Sequence, residues 1–165
     1  MVGKMVVMTR ISIATAMALV LGVSAATAFD PADVEKLTAN NACAKCDLAG
    51  ATLTDADLWK AVLSGANLLG ADLSGAILID ADLSGAILDN ANLTSAELRS
   101  ADLTDAKLVG AKLTRAVLGR ADFTGADLTD ADLSDARVRT LADLAVATLC
   151  RTTMPGGSVD DTGCP

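Results

Sequence analysis

Cys43-Ala44-Lys45-Cys46 carries the sharpest chemical meaning in this 165-residue chain, because two thiols at that spacing can form a redox couple, half a zinc site or a structural disulfide. A redox couple needs a helix N-terminus or a nearby cation to lower a thiol pKa, yet the residues that follow read as the start of a repeat. Zinc needs four ligands. The sequence has no His, so the other two would have to be carboxylates or Cys150 and Cys164 at the far end of the chain. No metal site is expected. The absence of His also excludes a Ser-His-Asp arrangement, and the chain has no Tyr. Asp, Ser and Thr recur at a fixed interval instead of converging, and paired catalytic carboxylates need environments that separate their pKa values. The Asp residues read as a polar outer face. These features predict a protein with no catalytic residue, no cofactor and no enzymatic activity.

The interval itself organises the chain. From Leu48 to Val138 a large apolar residue stands at every fifth position, and Ala stands two residues before each of them except Leu48, where Cys46 takes its place. Residues five apart wander around an α-helix at about 100° per residue and alternate between the two faces of a flat strand. Neither element buries them together. A chain that turns a corner once per five residues can point the centre and its Ala inward and leave the other three positions to water, which is the geometry of a solenoid. Gly65, Gly75, Gly85 and Gly125 sit two after a centre, where a corner can require positive φ. Ser or Thr recurs one after it, as at Ser74, Ser84 and Thr124, where a hydroxyl can bond turn backbone.

Ala71-Asp72-Leu73-Ser74-Gly75 and Ala81-Asp82-Leu83-Ser84-Gly85 resemble the defining unit of the pentapeptide repeat family. The resemblance implies an all-β solenoid, a right-handed quadrilateral parallel β-helix with one repeat per side and four per coil. Residues 1–28 read as a signal peptide: Lys4 and Arg10 precede an apolar run from Ile11 to Val23, and Ala26-Thr27-Ala28 forms a cleavage site. Residues 29–45 are expected to form a helical cap, with Asp30 as N-cap, Pro31 in the first turn, and Val34 and Leu37 on the open end of the column. Residues 46–151 form the β-helix, including two repeats beyond a one-residue slip near Arg139–Leu141, where Leu141, Leu144 and Thr148 could instead line a short helix. Residues 152–165 form a closing tail.

Four cysteines allow three pairings. A column of about five coils at about 4.8 Å each is about 25 Å tall, too far for a disulfide between its ends, so Cys43–Cys46 and Cys150–Cys164 are expected. Export suits such bonds. Removing residues 1–28 takes away two basic residues and no acid, leaving 11 basic against 21 acidic and a net charge of −10. That balance disfavours nucleic acid and anionic lipid, and no stable membrane insertion is expected after cleavage. The expected state is a monomer or weak homodimer.

Sorting every fourth repeat onto one side gives unequal walls. One carries Trp59, Ile77, Ile79 and Val117 with Arg99, Arg120, Arg137 and Arg139. Its neighbour carries Asp82, Asp102 and Asp122, with Asp105 beside them. The first has the composition of a protein-binding face. The sequence therefore predicts a non-enzymatic structural or protein-binding module of the periplasm or cell envelope. The resemblance also offers an alternative, since some family members mimic DNA and bind gyrase, a cytoplasmic target that export would place out of reach.

Overall fold

The computed structural model describes residues 29–165, so the signal-peptide expectation for residues 1–28 lies outside the described residues. Parallel bridges join residues twenty apart along four ladders, for example Asp82↔Asp102↔Asp122 and Asp72↔Asn92↔Lys112↔Asp132. In the middle of the column each side of a coil makes the same four backbone bonds. Leu83 N–H donates to Asp102 O at 2.8 Å and Asp102 N–H to Ala81 O at 2.9 Å, while at the corner Gly85 N–H donates to Thr104 O at 2.8 Å. Ala86 N–H then donates to Leu83 O at 3.0 Å and closes the turn. Because a corner follows every five residues, each side is too short for an extended strand and contributes one bridge. Among the described residues the only strands are β1 (Thr152–Thr153) and β2 (Val159–Asp160), an antiparallel pair in the tail.

The corner residue has positive φ whatever its type: Gly75 at +69°, Asp55 at +54°, Arg120 at +66°. Inside, Leu and Ala fill the axis. Leu63 through Leu113 are fully buried at every centre, as are the Ala residues two before them. Burying a Leu contributes about 1.5–3 kcal/mol, and here the gain repeats once per side.

Helix α1 (Pro31–Asn40) lies over the amino-terminal end. Asp30 caps it by accepting from Ala32 N–H at 2.9 Å, Pro31 needs no partner in the first turn, and Asn41 ends it at φ +52°. Leu37 is buried and Val34 half-buried against the core. Asp33 Oδ2 accepts from Asp47 N–H at 2.8 Å, fixing the helix to the first coil. The ladder starts earlier than the expected residue 46: Ala42 bridges Val62, and Cys43 occupies a buried centre.

At the other end the two restored repeats behave differently. Leu141–Asp143 form a 3₁₀ turn with no bridge to Asp122, Leu141 is exposed, and only Leu144 goes into the core. The ladder resumes at Thr148 and Thr153, each 21 residues above its partner, so the slip costs one bridge and one extra residue. It also runs past the expected boundary at 151. Thr152 and Met154 take the places of the inward Ala and the centre, and both are buried.

Candidate partner-binding walls

The cysteines form two disulfides, Cys43–Cys46 and Cys150–Cys164, with Cα–Cα separations of 5.3 and 4.6 Å. The first joins a centre to the inward position of the next repeat, and both sulfurs lie under α1 beside Asp33. An oxidised pair offers no thiolate to a metal, and both sulfurs are buried, with Lys36 Nζ 3.6 Å from Cys46 Sγ. The second ties Gly163 and the tail over the last coil, where Gly163 N–H donates to Leu149 O at 2.8 Å.

The ladder Asp57↔Ile77↔Glu97↔Val117↔Arg137 defines one wall. Trp59, Ile79, Arg99, Gly119 and Arg139 stand two residues further on in successive coils. Trp59 is 52% exposed and Ile77 37%, whereas Ile79 and Val117 are half-buried. Lys60 Nζ lies 4.6 Å from the centroid of the Trp59 ring. The apolar part is thus confined to the amino-terminal half. Val117 is cut off from Ile77 by Glu97, a residue the sequence grouping left out and which pairs with Arg99.

The carboxy-terminal half is cationic. Arg115 and Arg120 occupy the two corners that bound this wall in one coil, Arg99 lies one coil below them, and Arg137 and Arg139 one coil above. Five of the six described Arg residues therefore gather here; the sixth, Arg151, pairs with Asp130 at 2.6 Å elsewhere. Arg139 pairs with Asp143, while Arg115, Arg120 and Arg137 have no carboxylate within salt-bridge reach among the described residues. We call this the Arg wall.

Across the Arg120 corner lies the Asp wall, Ala42↔Val62↔Asp82↔Asp102↔Asp122, with Lys45 at the corner of its first unit and no basic residue in the repeats from Val62 onward. Val62, 40% exposed, follows Ala42 on it at the level of Trp59, a neighbour the sequence grouping missed because Val62 occupies an Asp position. These carboxylates also shape their turns. Asp122 Oδ1 accepts from Thr124 N–H at 2.9 Å and from its hydroxyl at 2.6 Å, and Asp82 binds Ser84 the same way at 3.0 and 2.6 Å. The Thr124 hydroxyl holds the Asp122 carboxyl below its ordinary range. At Asp82 burial pushes upward but is outweighed by the Ser84 hydroxyl and N–H. The hydroxyls expected on turn backbone instead donate to the carboxylate of their own unit. An open cleft of about 410 Å³ at the shared corner, lined by Arg120, Asp122, Thr124, Arg139, Asp143 and Val146 among others, marks where the 3₁₀ turn interrupts the ladder.

A family model described as pentapeptide repeats matches eight copies over residues 43–78, 76–115 and 106–139. Among solved structures, the chain is similar to alr5209, a pentapeptide repeat protein of Nostoc, at 31% identity over 70% of this chain and 91% of that one, with TM-score 0.35. It is also similar to HetL of Nostoc, a pentapeptide repeat protein involved in heterocyst differentiation regulation, at 29% identity over 72% and 74%, with TM-score 0.32. A pentapeptide repeat protein from the Arabidopsis thaliana thylakoid lumen matches at 39% identity over 53% of this chain and 64% of its own, with TM-score 0.30. No curated protein matches.

Proposed function

Because the chain belongs to the pentapeptide repeat family, whose members form right-handed quadrilateral β-helices and are generally structural or binding proteins, we propose that it is a non-enzymatic binding column of the periplasm or cell envelope. The observation that carries this reading is the segregation of surface chemistry. Drift in a repeat would scatter Trp59, Ile77 and five Arg residues over four walls, whereas one wall and the two corners that bound it hold them all. Trp and Arg are the residues most enriched where binding energy concentrates. Export is supported by the amino-terminal charge and apolar pattern and by two disulfides, which persist in oxidising compartments. No helix among the described residues is long and apolar enough to cross a membrane. The DNA-mimic alternative fits less well, since a cationic wall interrupts the negative surface such a mimic needs.

The test is performed in the native host. A photo-crosslinking amino acid replacing Trp59 should capture a protein in the periplasmic fraction, and the intact mass of the recovered chain should start at Phe29. Recovery of the unprocessed chain from cytosol overturns export, and crosslinks that arise from the Asn92–Lys112 wall but not from position 59 overturn the binding face.

A further inference from the structure

The Arg wall and the Asp wall of one column are complementary at three levels, Trp59 with Val62, Arg99 with Asp102 and Arg120 with Asp122, while Ile77 and Ile79 share the level of Asp82. We propose that the occupant of the Arg wall is the Asp wall of a second copy, which deepens the binding-face reading above and rests on it. Within one coil, Arg99 and Asp102 are three residues apart, Arg120 and Asp122 two, and Trp59 and Val62 three. A coil of twenty residues rises about 4.8 Å, so each of these pairs lies within about 1 Å of the same height on the column. Two columns standing parallel with no axial shift therefore set Arg99 against Asp102, Arg120 against Asp122, and exposed Trp59 against exposed Val62. An antiparallel pair would put the cationic half opposite Val62.

The contact is heterologous, so its rotation decides whether it closes. Four corners per coil make adjacent walls differ in direction by about 90°, a quarter turn per side. When the Arg wall of one copy faces the Asp wall of the next, the second copy is rotated by that same quarter turn. Four copies return to the start. The predicted assembly is a ring of four parallel columns, with every Arg wall and every Asp wall covered and the two remaining walls, headed by Asp47 and Thr52, outward. The net negative charge of each copy opposes the ring, so formation depends on matched charge at the contact, and charge reversal is the direct probe.

The experiment uses the mature chain from Phe29 and two variants. One reverses the Arg wall with Arg99→Glu and Arg120→Glu. The other reverses the Asp wall with Asp102→Lys and Asp122→Lys; Lys107 and Lys112 already stand at the equivalent ladder position on other walls, so the fold accepts Lys there. Thermal melts establish that both variants fold. In sedimentation the native chain should run at four times the monomer mass and each variant as monomer. An equimolar mixture of the two should regain the fourfold mass, because each reversed wall then meets a complementary one. A native chain that stays monomeric at the highest attainable concentration, or an assembly that either variant retains alone, overturns the proposal. If the native chain is monomeric while position 59 still crosslinks to a different protein in cells, the ring is wrong and the binding face stands. If neither happens, both fall.

Discussion

At the corners, the same backbone geometry is met by residues with very different tolerance. Gly75 has φ +69°, and a Cβ built there would lie 2.1 Å from Asp55 Oδ1, the corner residue one coil below. Gly85 has φ +62° and nothing within 4 Å of that position. Gly85→Ala should therefore cost only the left-handed penalty of about 1–2 kcal/mol, whereas Gly75→Ala adds the displacement of Asp55. Urea unfolding should show the larger loss for Gly75→Ala, and Asp55→Ala in the same chain should bring it down to the Gly85 value. An unchanged difference in the double variant would show that Asp55 is not the obstacle. The carboxylates of the units give a second residue-scale expectation. Asp132 is held below its ordinary pKa by the Ser134 hydroxyl first and its N–H second, and Asp122 by Thr124 likewise. A depressed folded pKa stabilises fully above the unfolded carboxylate range near about 3.9 and is lost as pH falls through the lower folded value. Melting temperature should therefore drop below about pH 4, and Ser134→Ala should make the drop shallower. The sequence showed Asp and Ser or Thr on either side of the central residue in many units but not that they bond to each other, because two residues that both point outward look equally solvated in a one-dimensional pattern.

The element whose form was most legible is the coil, and the least legible elements are its ends. Every centre from Leu48 to Leu133 is buried as the five-residue period predicts, with Val138 half-buried where the period fails. The pattern works because identical neighbours above and below impose identical demands on each unit. The end coils have no such neighbour on one side, so Cys43 can serve as a centre beneath α1, and Thr152 and Met154 can form a unit that shares no letter with Ala-Asp-Leu. Thr152 fits inside because its hydroxyl donates to Leu128 O at 2.8 Å. Thr152→Val keeps the shape and removes that bond, so it should cost about 1 kcal/mol, since Leu128 O still accepts from Ala131 N–H. A cost near zero in chemical denaturation would mean the hydroxyl is idle. The tail depends on its disulfide more heavily. Cys164→Ser opens a loop with sequence separation 14 and should cost about 2–4 kcal/mol. Hydrogen exchange locates the effect: the Met154 N–H, which donates to Ser158 O at 2.8 Å, should lose protection while Leu83 N–H keeps it. Loss of protection at both would show that the column and its tail unfold as one unit.

For the molecule as a whole, a four-cornered column turns sequence positions twenty apart into neighbours, and that rule alone sorted Trp59, Ile77, Ile79 and the Arg residues onto one wall. The same rule places Glu97 between Ile77 and Val117, but the make-up of a wall as a whole does not show that its apolar and cationic residues separate along the axis. The structure divides the wall into an apolar amino-terminal half and a cationic carboxy-terminal half, so the two kinds of contact can be removed separately. Trp59 and Ile79 are vertical neighbours, with Lys60 N–H donating to Ile79 O at 2.9 Å between the two coils. Their side chains lie outside the axis, and no buried group depends on them. Trp59→Ser with Ile79→Ser should therefore leave the melt within about 1 kcal/mol of native, the loss of the Lys60–Trp59 contact accounting for about 0.5–1 kcal/mol of that. The same double variant should weaken assembly and partner capture, because a large aromatic side chain on the surface contributes to binding through the area it buries there. Arg99→Ala with Arg120→Ala removes two of the five Arg side chains of the other half and should also weaken association, but through charge. If the serine variant melts like a core substitution, these side chains are structural; if it melts normally and binds normally while the alanine variant does not, the partner reads charge alone and the apolar half of the wall is incidental.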